Sequence, residues 1–118
     1  MTAEELRART KAFALRILLL FRPLSRNADA QVIGKQLIRC GTSVAANYRA
    51  ACRAARARAE FAARIGVVAE EADETVFWLE LLSDSGLMPA ARLEPLLNEA
   101  RQLTAIFSSS RQTARVRG

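Results

Sequence analysis

Ala50-Ala51-Cys52-Arg53-Ala54-Ala55-Arg56-Ala57-Arg58 is the segment on which the fold turns. It contains no Gly, Pro, Ser or Asn. Propensity alone would let a single helix run through it. That helix would span roughly 55 residues, far above the globular mean of about 12. We therefore place a break near residues 53–57, which divides the rod into two antiparallel helices.

Upstream, a second helix is predicted over about 29–51, with Asn27 or Asp29 as its cap. Leu24 to Asp29 forms a loop. Pro23 ends a first helix over about 3–22, because the residue before proline avoids helical angles. Thr2 and Glu5 have the spacing of a capping box. Downstream, a third helix covers about 57–85, with Gly86 as a left-handed cap and Pro89 shortly after. A fourth covers about 90–108, and the polar, basic residues 109–118 are predicted to be a disordered tail. Composition agrees with an all-helical domain: 51% apolar residues, but only 5 Gly and 3 Pro in 118 residues.

Each helix carries one apolar stripe at 3–4 residue spacing. The stripes are Leu6, Phe13, Ile17, Leu20 and Phe21; Ile33, Leu37, Cys40, Val44, Tyr48 and Ala51; Phe61, Ile65, Val68, Ala72, Val76, Leu79 and Leu82; and Leu93, Leu97, Ala100, Leu103 and Phe107. Four amphipathic helices with short connections predict an all-α, antiparallel, up-down-up-down four-helix bundle spanning residues 1–108.

Two helices have apolar residues to spare. Phe77 and Leu81 fall about 160–200° from the third helix's stripe, on a back face shared with Glu70 and Glu74. Leu15 and Leu19 fall roughly 180–220° from the first helix's stripe. Scattered exposed leucines are normal, but i, i+4 pairs on two helix backs point to subunit contacts. Asn47 sits at the margin of the second stripe. Its expected role is structural, fixing register against the third helix through Ser43, Thr75 or an acid of residues 70–74.

Charge is uneven. Residues 35–64 carry seven basic and one acidic side chain, whereas residues 65–99 carry one basic and eight acidic. The whole chain is at +6, and 16 of its 18 cations are arginine. Lys35, Arg39, Arg49 and Arg53 lie within about 80° of arc opposite the second helix's stripe. They form either a phosphate-tracking ridge for nucleic acid or a basic face paired with the third helix's acids. No aromatic interleaves them, so base stacking is not supported.

Enzyme chemistry has little to stand on. The chain has no histidine, the commonest general base and metal ligand near neutral pH. The acids cluster on one helix rather than several, so no metal site and no cofactor is expected. Cys40 and Cys52 on one helix would stand roughly 18 Å apart, too far for a disulfide. The N-terminus lacks the order of a signal peptide, and the longest apolar run, Ile17 to Phe21, is too short to span a membrane. A cytoplasmic protein with no membrane partner is expected.

Two segments carry a resemblance. Gln36-Leu37-Ile38-Arg39-Cys40-Gly41-Thr42-Ser43-Val44-Ala45-Ala46-Asn47-Tyr48 and Glu70-Glu71-Ala72-Asp73-Glu74-Thr75-Val76-Phe77-Trp78-Leu79-Glu80-Leu81-Leu82 resemble the second- and third-helix signatures of one bacterial family. It comprises four-helix bundles encoded within intervening sequences of 23S rRNA genes, with distant relatives that are accessory factors of diversity-generating retroelements. The similarity spans roughly residues 6–107. It implies a cytoplasmic homopentamer around a central channel, without enzymatic activity. Through the basic retroelement relatives it implies a nucleic acid or a nucleic-acid-processing protein as partner. The chain departs from the family at Arg49-Ala50-Ala51, where a Glu is usual, at Ala45 in place of Gly, and near Ala57, where a capping Ser is usual. Two functions follow: a ring-like homo-oligomer that binds RNA or DNA through its basic surface, or a protein-interaction scaffold whose arginines pair with acids across subunits.

Overall fold

The computed structural model describes residues 1–24 and 26–117, and of residue 117 only the backbone. Four α-helices account for nearly all of it: α1 (Ala3–Phe21), α2 (Ala28–Arg53), α3 (Arg58–Asp84) and α4 (Ala90–Arg117). Consecutive helices pack side by side, α1 and α4 meet over a short stretch, and the diagonal pairs meet only through side chains. The result is an elongated bundle, 45 × 22 × 19 Å.

Local chemistry sets the helix ends. Thr2 Oγ1 accepts the Glu5 N–H at 3.1 Å, and its hydroxyl lies 3.2 Å from the Glu5 carboxylate. Asp29 Oδ1 accepts the Ala30 N–H at 2.8 Å in the first turn of α2. At the end of α3, Gly86 takes φ +76°, a left-handed position that suits glycine. The α2–α3 break occupies residues 54–57 without any such residue. Ala54 leaves the helix at φ −92°, ψ 10°, and Ala57 is extended at φ −103°, ψ 101°. The Ala57 N–H reaches the Ala54 carbonyl at 3.0 Å, closing a tight turn. Packing of α2 on α3 fixes this corner, since local propensity does not.

The core consists of the four stripes. Phe13, Ile17, Leu37, Val44, Ile65, Val68, Leu79, Leu82, Leu93, Leu103 and Phe107 are all essentially inaccessible. Leu20, Phe21, Phe61 and Val76 lie half-buried at its margin. Gly41 lets α1 approach closely, because a Cβ there would stand 2.8 Å from Ile17 Cγ1. Thr10 is buried as well, its hydroxyl donating to the Leu6 and Arg7 carbonyls at 3.0 Å each. Between α1 and α4, Arg9 grips Glu99 with two bonds of 2.7 Å.

The C-terminus differs from the expectation. Instead of a disordered tail from residue 109, α4 continues to Arg117, and residue 118 lies outside the described residues. Ser109, Ser110, Thr113 and Ala114 line a hollow of about 440 Å³ together with Ala55, Arg58 and Phe61 of the α2–α3 corner. Next to it the Arg111 stem lies against Gly66 and its guanidinium stands 3.9 Å from Glu70, which ties the final turns to α3 in a way a polar sequence in isolation does not reveal.

Candidate nucleic-acid interface

The four basic residues expected to form one ridge on α2 separate into two groups. Arg39 turns toward α3, where its guanidinium meets Glu71 at 3.3 Å and also pairs with Glu74. Glu74 in turn accepts the Trp78 indole N–H at 3.0 Å. This part of the ridge is the paired alternative, realised within one chain. Lys35 is exposed and makes no ion pair among the described residues.

Arg49 and Arg53 turn the other way, toward α1. With Arg7 and Lys11 they line a groove of about 570 Å³ whose floor is Ala8, Ala45, Ala46 and Ala50. Thr42 supplies a hydroxyl at one end. No acid lines the groove, and none of its four cations has an ion-pair partner among the described residues. At one end Arg53 also borders a shallower hollow with Arg64 and Glu60, the latter two paired at 3.3 Å.

Small floor residues explain the shape. Alanines keep the α1–α2 seam low, so the long arginine and lysine stems stand as its walls. Arg7 and Lys11 are one helical turn apart on α1, as are Arg49 and Arg53 on α2. The spacing of successive cations along each wall, about 6 Å, is comparable with phosphate spacing along a nucleic-acid strand. The sequence reading missed Arg7 and Lys11. Their i, i+4 spacing was visible, but which α2 face they meet depends on helix packing.

Beneath the groove, Tyr48 is buried and stacks obliquely on Phe107, ring centroids 5.2 Å apart. Burial, then the neighbouring Cys52 thiol, pushes the phenol pKa up to about 12, against a smaller opposing pull from Arg7. Cys40 is buried too, and desolvation raises its thiol pKa against smaller opposing pulls from Thr75 and Arg39. Both cysteines are free thiols on α2. Neither the buried thiol nor the phenol is poised for nucleophilic work.

The remaining candidates are placed as follows. Asn47 is half-buried and donates to the Ser43 carbonyl at 3.0 Å and the Ser43 hydroxyl at 2.7 Å. Ser43 is one of the expected partners, but these bonds lie within α2 and do not themselves tie it to α3. The amide is bonded back to the i−4 residue of its own helix, a common local choice for this side chain. Leu15, Leu19, Phe77 and Leu81 are exposed, on the outward faces of α1 and α3. Among the described residues no cluster of Cys, Asp and Glu could hold a metal ion, and no helix is long and apolar enough to cross a membrane.

Comparison with known proteins adds a family. The sequence profile described as 23S rRNA-intervening sequence protein matches residues 4–109. Among solved structures, the fold is similar to a protein of unknown function from the S23 ribosomal protein family of Bacteroides thetaiotaomicron VPI-5482. The TM-score is 0.85 at 30% identity, covering 95% of this chain and 99% of that one. No curated protein matches.

Proposed function

The chain belongs to the 23S rRNA-intervening sequence protein family, and from that premise we propose that it is a non-enzymatic, cytoplasmic homo-oligomer that binds RNA or DNA along the α1–α2 groove. The observation that carries this reading is the groove itself: Arg7, Lys11, Arg49 and Arg53, with no acid among its lining residues. Unpaired cations in a row attract a phosphate backbone by releasing its counterions, without reading its sequence. The groove holds no aromatic residue, so binding depends on backbone charge rather than base identity. Several copies would multiply the attraction through a shared strand.

Fluorescence anisotropy with a labelled single-stranded RNA and a DNA duplex tests it. Affinity should fall steeply with salt, and Arg49→Glu/Arg53→Glu should weaken both ligands at least tenfold while Lys35→Glu changes little. Binding that is indifferent to salt, or equal in the groove variant and wild type, removes the proposal.

A scaffold function has one specific observation in its favour. Arg39 is consumed by Glu71 and Glu74, and Arg101 meets Glu80 at 3.2 Å, so part of the basic charge is spent inside the bundle. Those pairs leave the groove cations untouched, which is why we favour nucleic acid.

A further inference from the structure

We propose that the hollow at the α2–α3 corner takes one unpaired base of a single-stranded RNA or DNA, stacked on Phe61, while the strand's backbone runs in the α1–α2 groove. The inference rests on the nucleic-acid reading above and narrows its ligand from any polyanion to a single strand.

The groove and the hollow adjoin. Arg53 lines the groove, Arg53 and Ala54 line the shallower hollow beside it, and Ala55 lines the larger one. Consecutive Cα atoms lie about 3.8 Å apart, so a strand leaving the groove over Arg53 has a short path to the corner. That path stays basic. Residues 53–64 hold Arg53, Arg56, Arg58 and Arg64 against a single acid, Glu60, which is paired with Arg64 at 3.3 Å. A phosphate backbone turning the corner therefore keeps its attraction.

The hollow has the chemistry of a base site. Its volume of about 440 Å³ suits a small planar ligand. Phe61 is half-buried, packed on the core and bordering the hollow. Ala55 and Ala114 are small, which leaves room beside the ring. The Ser109 and Thr113 hydroxyls line the hollow and make no hydrogen bond among the described residues, whereas Ser110 donates to the Ile106 carbonyl at 2.9 Å. No acid lines it. Proteins hold unpaired bases with the same two elements, an aromatic face for stacking and polar groups for the base edge. An apolar side chain of a protein partner would use the ring but neither the hydroxyls nor the positive surroundings.

A duplex gains nothing from this site. Its bases are paired and stacked inside, and one would have to be flipped out before it could reach Phe61. The groove accepts either form, and the hollow adds affinity only for a single strand. Stacking tolerates every base, so the preference is for strandedness and not for sequence.

Anisotropy titrations of the full-length chain test it with a short labelled DNA strand, its duplex, and an abasic strand of the same length. Phe61→Leu keeps an apolar side chain on the core and removes the ring. It should weaken single-strand binding about fivefold or more. Duplex binding and the salt slope should not change, because no phosphate contact is lost. Phe61→Tyr keeps the ring and should bind as wild type does. The abasic strand should bind wild type about as weakly as the normal strand binds Phe61→Leu. Equal single-strand affinity in wild type and Phe61→Leu, an equal loss on the duplex, or no loss with the abasic strand overturns the proposal. The abasic measurement needs only the wild-type chain, so a Phe61→Leu variant that fails to fold does not shelter the proposal. A wild type that binds neither form in a salt-sensitive way ends the groove reading and this one with it. Salt-sensitive binding that ignores both Phe61 and the bases ends only the base site.

Discussion

Two glycines on the helices respond oppositely to a methyl group. At Gly41 a Cβ would lie 2.8 Å from Ile17, a side chain fully buried between helices and unable to yield. Gly41→Ala is expected to cost about 1–3 kcal/mol by overpacking, more than the ~1 kcal/mol gained in helix propensity. At Gly66 the nearest atom, 3.3 Å away, belongs to the flexible stem of Arg111, so Gly66→Ala should stabilise by up to ~1 kcal/mol. Urea titration of both variants checks the opposite signs. Tyr48 gives a prediction in pH. Its folded-state pKa of about 12 lies above the ordinary 10.0, so the folded chain holds the phenol proton more tightly. The stability this confers is complete below pH 10 and drains as pH rises from 10 to 12. Tyr48→Phe should flatten that part of the stability profile in chemical denaturation. At this scale the sequence was readable for burial: every stripe position on α2 and α4 is in the core. It was unreadable for polar partners. Arg39 and Arg49 share an outer arc on α2, yet one faces acids on α3 and the other cations on α1. Only the placement of neighbouring helices separates them.

The helices themselves followed from periodicity and from a few punctuating residues. Thr2 and Gly86 act where their chemistry predicts. The α2–α3 corner was inferred from length rather than from any turn residue, and its alanines take turn conformations because Phe61 and Ala51 pack on either side of it. The last turns of α4 were the misreading. Serine, threonine and arginine at residues 108–115 look like a solvated tail, but α4 continues through them along α3, where Arg111 lies against Gly66 and near Glu70. Truncation after residue 108 is therefore expected to remove helical signal at 222 nm in proportion to the residues lost. It should also destabilise the bundle by about 1 kcal/mol as Phe61 becomes more exposed. An unchanged helical signal would mean that the segment is not helical in solution.

For the whole molecule, the distribution of charge matters more than its total. A net charge of +6 predicts attraction to polyanions only if the cations reach the surface unpaired. Arg9, Arg39 and Arg101 are spent on acids within the bundle, whereas Arg7, Lys11, Arg49 and Arg53 stand along one seam. In salt titrations of RNA binding, each groove cation removed should reduce the slope of log affinity against log salt by about 0.7 per lost phosphate contact. Variants of Arg39 should leave the slope unchanged. The apolar surface has the same logic: four stripes fill the core, and what remains on the backs of α1 and α3 has no cover in a single copy. Light scattering of the purified chain at low micromolar concentration tests this most directly. With those faces covered by other copies, a particle several times 13.0 kDa is expected. A single stable species of 13.0 kDa, with Leu15, Leu19, Phe77 and Leu81 left in water, would contradict it.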